Sequence, residues 1–184
     1  MTRVIAGARK GFRLATHKSP FVRPTTDRTK QVIFNVLNPA IAGSLVLDIF
    51  SGSGGLGIEA LSRGARAAVF VESDRNVCKV LTQNLVKTGF IEQSELLTLD
   101  AAAALNLLEK RGAAFDVIFA DPPYESSLAQ ETLANVADRR LLKSAGWFAL
   151  EHSARQHMVE QAGPLTLITR KHHGDTAISF YQHA

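Results

Sequence analysis

The chain has 184 residues, enough for one well-buried domain and few for two, and its 46% hydrophobic and 21% charged residues are those of an ordinary globular protein. No apolar run approaches the ~20 residues that span a bilayer, the N-terminus lacks the apolar stretch of a signal peptide, and a single cysteine, Cys78, excludes an internal disulfide. The net charge is +4, yet residues 1–31 hold eight basic side chains against Asp27 alone, a net of +7 that leaves −3 for the rest. A basic arm on a slightly acidic body suits a polyanion, and a reducing, cytoplasmic setting is expected.

In chain order, "RVIAG" and "FRLAT" flank "ARKG" and predict a short β-hairpin, in which apolar residues interleave with Arg3, Arg9, Lys10 and Arg13. Residues 1–24 are expected to form this basic extension and 25–184 the main domain. After the loop "HKSPFVRPTT", Thr26 or Asp27 caps a predicted helix to about Leu37, which Pro39 ends. Phe34 would pack from this helix under the hairpin.

From "LVLDIF" onward, strands and helices alternate. The strand signals are "LVLDIF", "AAVFVE", "ELLTL", "FDVIFA" and "GWFALEH", and Trp147 and Phe148 read as strand core. Helices are predicted from the glycine loop to Gly64, from Asp74 to Gly89, over "AAAALNLLEKR", from Ser127 to Ala137, and over "SARQHMVEQ". The closing "LTLITRKHHGDTAISFYQ" predicts two strands around a turn, forming an antiparallel edge. Repeated strand–helix units with continuous apolar strands imply an α/β fold, a mostly parallel sheet covered on both faces.

Gly52-x-Gly54-x-x-Gly57 follows the first of these strands, with Glu72 twenty residues after Gly52, the spelling of a dinucleotide fingerprint. Asp48 separates the ligands. A diphosphate beside its carboxylate would be repelled, whereas the sulfonium and α-ammonium of S-adenosylmethionine would be attracted. Glu72 suits a ribose in either case. Asp100 is placed either to accept from an adenine amine or to cap a helix. The cofactor expected is S-adenosylmethionine, with Phe50, Ser53, Ser73 and Ala101 flanking these positions.

Asp121-Pro122-Pro123-Tyr124 follows the strand "FDVIFA" directly. An exocyclic amine on a nucleobase is a poor nucleophile, because its lone pair is delocalised into the ring. Two fixed acceptors, the Asp121 carboxylate and the Pro122 carbonyl, would hold its hydrogens and aim the lone pair; Tyr124 would stack on the base. The six histidines lack partners at ligand spacing, so no metal site is expected. Cys78 reads as a packed thiol without a paired base, and His172-His173 as a solvated turn.

With "RVIAGARKGFRL", "RPTTDRTKQVIFNVL", "LDIFSGSGGLGIEALSRGA", "FVESD", "DPPY" and "KHHGDTAISFYQ", the chain resembles the RsmD-type family of 16S ribosomal RNA (guanine-N2)-methyltransferases over nearly its whole length. The resemblance implies a Rossmann-like S-adenosylmethionine-dependent methyltransferase fold with a seven-stranded sheet. It implies that Asp48, Gly52, Gly54, Glu72 and Asp100 hold the cofactor, and that Asp121, Pro122 and Tyr124 form the target-base site. "RPTTDR" would place Arg23, Thr25, Thr26 and Arg28 beside the cofactor and the RNA. The partner implied is 16S ribosomal RNA, free or in a partly assembled small subunit; with no extra apolar surface that demands a dimer, a monomer is expected. Glycine loop before "DPPY" is also the order in DNA adenine methyltransferases. A nicotinamide-dependent oxidoreductase and a non-enzymatic RNA-binding assembly factor are the alternatives from other classes.

Overall fold

The computed structural model describes residues 2–17, 26–123 and 127–183. Two two-residue strands, β1 (Thr2–Arg3) and β2 (Arg13–Leu14), pair antiparallel around a 3-10 turn at Gly7–Arg9. The predicted hairpin is therefore present in miniature. Its connection is mostly irregular backbone closed by Val4 N–H to Phe12 O (2.9 Å) and Gly11 N–H to Val4 O (2.8 Å).

Helix α1 spans Asp27–Ile41, with Thr26 as its cap: Thr29 N–H donates to Thr26 Oγ1 at 3.1 Å. Pro39 lies inside the helix rather than ending it. A proline two residues before the last one removes one internal hydrogen bond at most, and the Ile41 carbonyl accepts from both Ser44 N–H (3.1 Å) and Ser44 Oγ (2.7 Å).

The body continues with β3 (Leu45–Ile49), α2 (Gly55–Ser62), β4 (Ala67–Val71), α3 (Arg75–Thr88), β5 (Ser94–Leu97), α4 (Ala101–Lys110), β6 (Phe115–Ala120), α5 (Leu128–Asp138), β7 (Leu142–Ser153), β8 (Gln161–Ala162), β9 (Leu165–His173) and β10 (Thr176–His183). Helix α3 starts and stops where side-chain chemistry dictates. Asp74 accepts from Asn76 N–H (2.7 Å) and Val77 N–H (3.3 Å), and Gly89 closes the far end with φ of 76°.

The main sheet has the order β5-β4-β3-β6-β7-β10-β9-β8, seven strands of four or more residues plus the two-residue β8. β5, β4, β3, β6 and β7 run parallel; β10 is antiparallel to β7 and to β9. β10 thus lies within the sheet, and the outer edge is β8 on β9. Alternate residues of β3 serve two cores. Val46 joins α1, α2 and α3 residues such as Phe34, Ile58 and Leu81; Leu47 and Ile49 join α4 and α5 residues such as Leu105 and Leu133. The expected α/β architecture, covered on both faces, is what forms.

One predicted helix is absent. "SARQHMVEQ" is a turn and irregular chain ending in β8. Its carbonyls accept from other elements instead: His157 O from Gln130 Nε2 (3.1 Å), Met158 O from Arg170 Nη2 (2.9 Å), Val159 O from Tyr181 Oη (2.7 Å) and Glu160 O from Leu167 N–H (2.7 Å). With Met158 fully buried as the one apolar anchor, these bonds outweigh a weak helical preference.

Candidate active site

Strand order reverses between β3 and β6: the chain leaves β3 toward β4 on one side and returns to β6 on the other. Open α/β sheets bind ligands in the crevice at such a point, outside the carboxyl ends of the strands. The glycine loop after β3, Glu72 after β4, Asp100 after β5 and Asp121 after β6 all stand on that edge.

The loop's geometry explains its residues. Phe50 has φ of 63°, a left-handed conformation costly for a side chain of this size, and Ser51 ties the turn to β4 through its N–H (2.9 Å) and Oγ (3.0 Å) to Val71 O. Gly52 has φ of 53° and nothing within 4 Å of where a Cβ would stand, so its backbone borders open space. A Cβ on Gly54 would meet Leu81 Cδ1 at 2.4 Å, and one on Gly57 would meet Phe70 Cε1 at 2.3 Å. Gly52 therefore permits a turn beside a ligand, while Gly54 and Gly57 let α2 lie close on the neighbouring side chains. That open cradle, rimmed by carboxylates, fits a nucleoside cofactor.

Asp48 is 2% exposed and accepts from Gly57 N–H at 2.8 Å, so it shapes the loop from beneath. Burial pushes its carboxyl up from 3.8 to about 7; the Gly57 bond opposes the rise and the nearby Glu72 carboxylate adds to it. Between those values the folded chain keeps a proton that the unfolded chain has released. Stability is therefore lost as pH rises from about 4 to about 7. Asp48→Asn is expected to remove this slope, gaining up to about 4 kcal/mol over the wild type above pH 7. Urea titrations of both proteins from pH 5 to 8 check it; parallel pH profiles would contradict it.

Glu72, half-buried, accepts from Gly52 N–H (3.1 Å) and Asp74 N–H (2.9 Å), joining the loop to the cap of α3. Ser73 is exposed beside it, and Ser53, half-buried, offers its carbonyl to Asn84 Nδ2 at 2.9 Å. Asp100 is exposed and caps α4 through Ala103 N–H (2.8 Å), and Ala101 packs on the second core. The capping role its position allowed is thus filled.

Ala120 pairs with Ile49 on one side and Leu150 on the other, so Asp121 stands between Phe50 and Glu151 at the same height of the sheet. Asp121 is half-buried, Pro122 buried and Pro123 exposed. Tyr124, Arg23 and Thr25 lie outside the described residues. Glu151, 5% exposed, was not singled out from sequence; its signal is an acid closing an apolar strand, the pattern that marked Asp48.

Helix α1 ends where β3 begins, and its Phe34 ring lies 5.6 Å from that of Phe119 near the far end of β6. The helix therefore runs against the parallel strands. Its first residues, Thr26 with the exposed Arg28, stand roughly 12 Å before Phe34, toward the carboxyl edge of the sheet.

The N-terminal segment is moored to the same face. Glu59, fully buried in α2, accepts from Ile5 N–H (2.8 Å), Ala6 N–H (3.0 Å) and Arg63 Nε (2.8 Å). Asn84 accepts from Ala15 N–H (2.8 Å) and donates to Ala15 O (2.9 Å). Val4 and Leu14 enter the first core. Arg3, Lys10 and Arg13 are exposed, whereas Arg9 is half-buried, donating to Thr88 O (2.6 Å) with its guanidinium over Phe90. Lys30, counted among the arm's charges, is fully buried and donates to Arg3 O; desolvation lowers its pKa against the pull of Glu59 and Asp27. Among the described residues, no group of three metal-ligating side chains forms, and no helix is long and apolar enough to cross a membrane.

Comparison with known proteins agrees with this architecture. The chain is 38% identical over 151 residues to the Escherichia coli "Ribosomal RNA small subunit methyltransferase D", covering 81% of this chain and 70% of the relative. It is 35% identical to the Haemophilus influenzae protein of the same name, covering 98% and 93%. A solved E. coli structure described as a methyltransferase candidate, yhhF, superposes with a TM-score of 0.87 at 31% identity, over 98% of this chain and 97% of that one. The fold is also that of SMU.776, a methyltransferase candidate solved with S-adenosylhomocysteine, at 14% identity and a TM-score of 0.67, covering 83% of this chain and 48% of that one. The family resemblance read from the motifs is borne out. With a family model matched over residues 2–182, the chain belongs to the Conserved hypothetical protein 95 family, in company with the small-subunit methyltransferase D proteins.

Proposed function

We propose that the protein transfers a methyl group from S-adenosylmethionine to the exocyclic N2 amine of a guanine in small-subunit ribosomal RNA. The observation that carries this reading is the position of Asp121-Pro122 at the end of β6, across the switch point from the glycine loop of β3. The names of the relatives support a ribosomal RNA substrate.

In this reading Gly52, Ser53 and Gly54 border the cofactor, Glu72 accepts from its ribose, and Phe50, Ser73, Asp100, Ala101 and Thr26 complete the rim. Asp48 holds the loop from below through the Gly57 N–H. When bound, the cofactor supplies a methyl group activated on a cationic sulfur. The Asp121 carboxylate and the Pro122 carbonyl accept the two N2 hydrogens, so the nitrogen lone pair points away from them along the line of transfer. Flanking prolines fix that carbonyl before substrate arrives. After the N–C bond forms, the nitrogen's surplus proton passes to Asp121, which needs no raised basicity because alkylation makes that proton acidic. Tyr124 offers its ring to the base.

The cationic arm binds phosphates without regard to sequence, while RNA shape selects the site. Labelled methyl donor is expected to mark small-subunit RNA and leave duplex DNA unmarked; label in DNA alone would refute the reading. Replacing Lys10 and Arg13 together by alanine should flatten the slope of log affinity against log salt by about 1 to 2. An unchanged slope in filter-binding titrations would take the arm out of the interface.

A further inference from the structure

Between the N-terminal segment and the first turns of α1 lies a cavity of about 330 Å³.

Arg3, Lys10, Asp27 and Gln31 supply the polar wall of this cavity, and Val4 and Ile5 an apolar one. Its volume lies at the lower end of the roughly 300–1,000 Å³ of small-ligand sites, room for one nucleotide. Arg3 and Lys10 are exposed cations. Asp27 Oδ2 accepts from Arg3 Nε at 2.8 Å, while Asp27 Oδ1 is buried with no hydrogen-bond donor among the described residues. A buried carboxylate oxygen without a donor is costly, and a ligand N–H would relieve it. Asp27 and Gln31 belong to the end of α1 that faces the catalytic edge, so the cavity lies beside the crevice and outside it.

We propose that this cavity is a second nucleotide subsite, which holds a nucleotide flanking the methylated one in the same RNA. Arg3 and Lys10 take its phosphate, and Asp27 with Gln31 meets the donor edge of a base that carries an amino group. The proposal rests on the RNA-methyltransferase reading above.

Gln31→Trp, at an exposed helix position, fills the cavity. It is expected to raise KM for small-subunit RNA roughly tenfold, about one base contact, with kcat, donor affinity and melting temperature unchanged. Abasic substitutions are then scanned through the nucleotides flanking the target. One position should raise KM about tenfold for the wild type and no further for Gln31→Trp. Gln31→Glu, a smaller change, should give the same pattern if the tryptophan disturbs folding. Wild-type KM in both variants, or equal abasic penalties in wild type and variant, would overturn the subsite. Calorimetric binding of guanosine monophosphate without any abasic effect would assign the cavity to a free nucleotide and also overturn it. No methyl transfer by the wild type would instead refute the underlying reading.

Discussion

Replacing Asp121 by alanine is expected to lower kcat for methyl transfer on the order of 10²–10³-fold, while binding of S-adenosylhomocysteine stays close to that of the wild type. Asp121 follows β6 and lies level with Phe50, the residue after β3, at the carboxyl edge of the sheet and outside the glycine loop. The loop's own bonds run through Asp48, Glu72 and Ser51. An acceptor for the amine hydrogens is lost, and with it both the aim of the lone pair and the outlet for the proton. Asp121→Asn keeps one acceptor and should fall between the two. Equal loss of turnover and of cofactor binding would mean that Asp121 holds the fold at this edge and has no part in the chemistry.

Glu59→Ala is expected to destabilise the protein by about 3–5 kcal/mol, because it breaks a buried ion pair and strips two backbone donors at once. The carboxylate is fully buried, receives Ile5 and Ala6 N–H, and pairs with Arg63. Its removal leaves the Arg63 guanidinium and the buried Lys30 ammonium without their nearest anion. A fall in melting temperature of about 10 °C should accompany it, with fast hydrogen exchange at the Ile5 and Ala6 amides. RNA affinity should drop as the arm loosens. Wild-type melting with protected amides would show that the apolar contacts of Val4 and Leu14 alone dock the segment.

Local chemistry made much of the fold legible. Asp74 and Gly89 bracket α3 because a capping carboxylate and a left-handed glycine act within a few residues. The glycine loop could be placed for the same reason, since φ above zero at Gly52 and Gly54 favours glycine. Glu59 and Asn84 were not legible. Their partners Ile5, Ala6 and Ala15 lie more than fifty residues away in the chain, and nothing local announces such a bond. An acid inside the otherwise apolar α2, and an amide in the buried stripe of α3, were the available signals.

The same distinction explains the two element errors. "SARQHMVEQ" has helical composition, but Gln130, Arg170 and Tyr181 claim its carbonyls from elsewhere in the fold. Pro39 stops a helix only when the bond it removes is needed, and the last turn of α1 is closed by Ser44 instead. At the site, Asp48 was read as facing the ligand's charge; the structure seats it on Gly57 N–H, buried beneath the loop.

Mass-spectrometric analysis of nucleosides from small-subunit ribosomal RNA, incubated with the purified protein and S-adenosylmethionine, tests the central claim most directly. The account predicts one new N2-methylguanosine, absent with Asp121→Ala. N6-methyladenosine in its place, or RNA that is bound but never methylated, would contradict it.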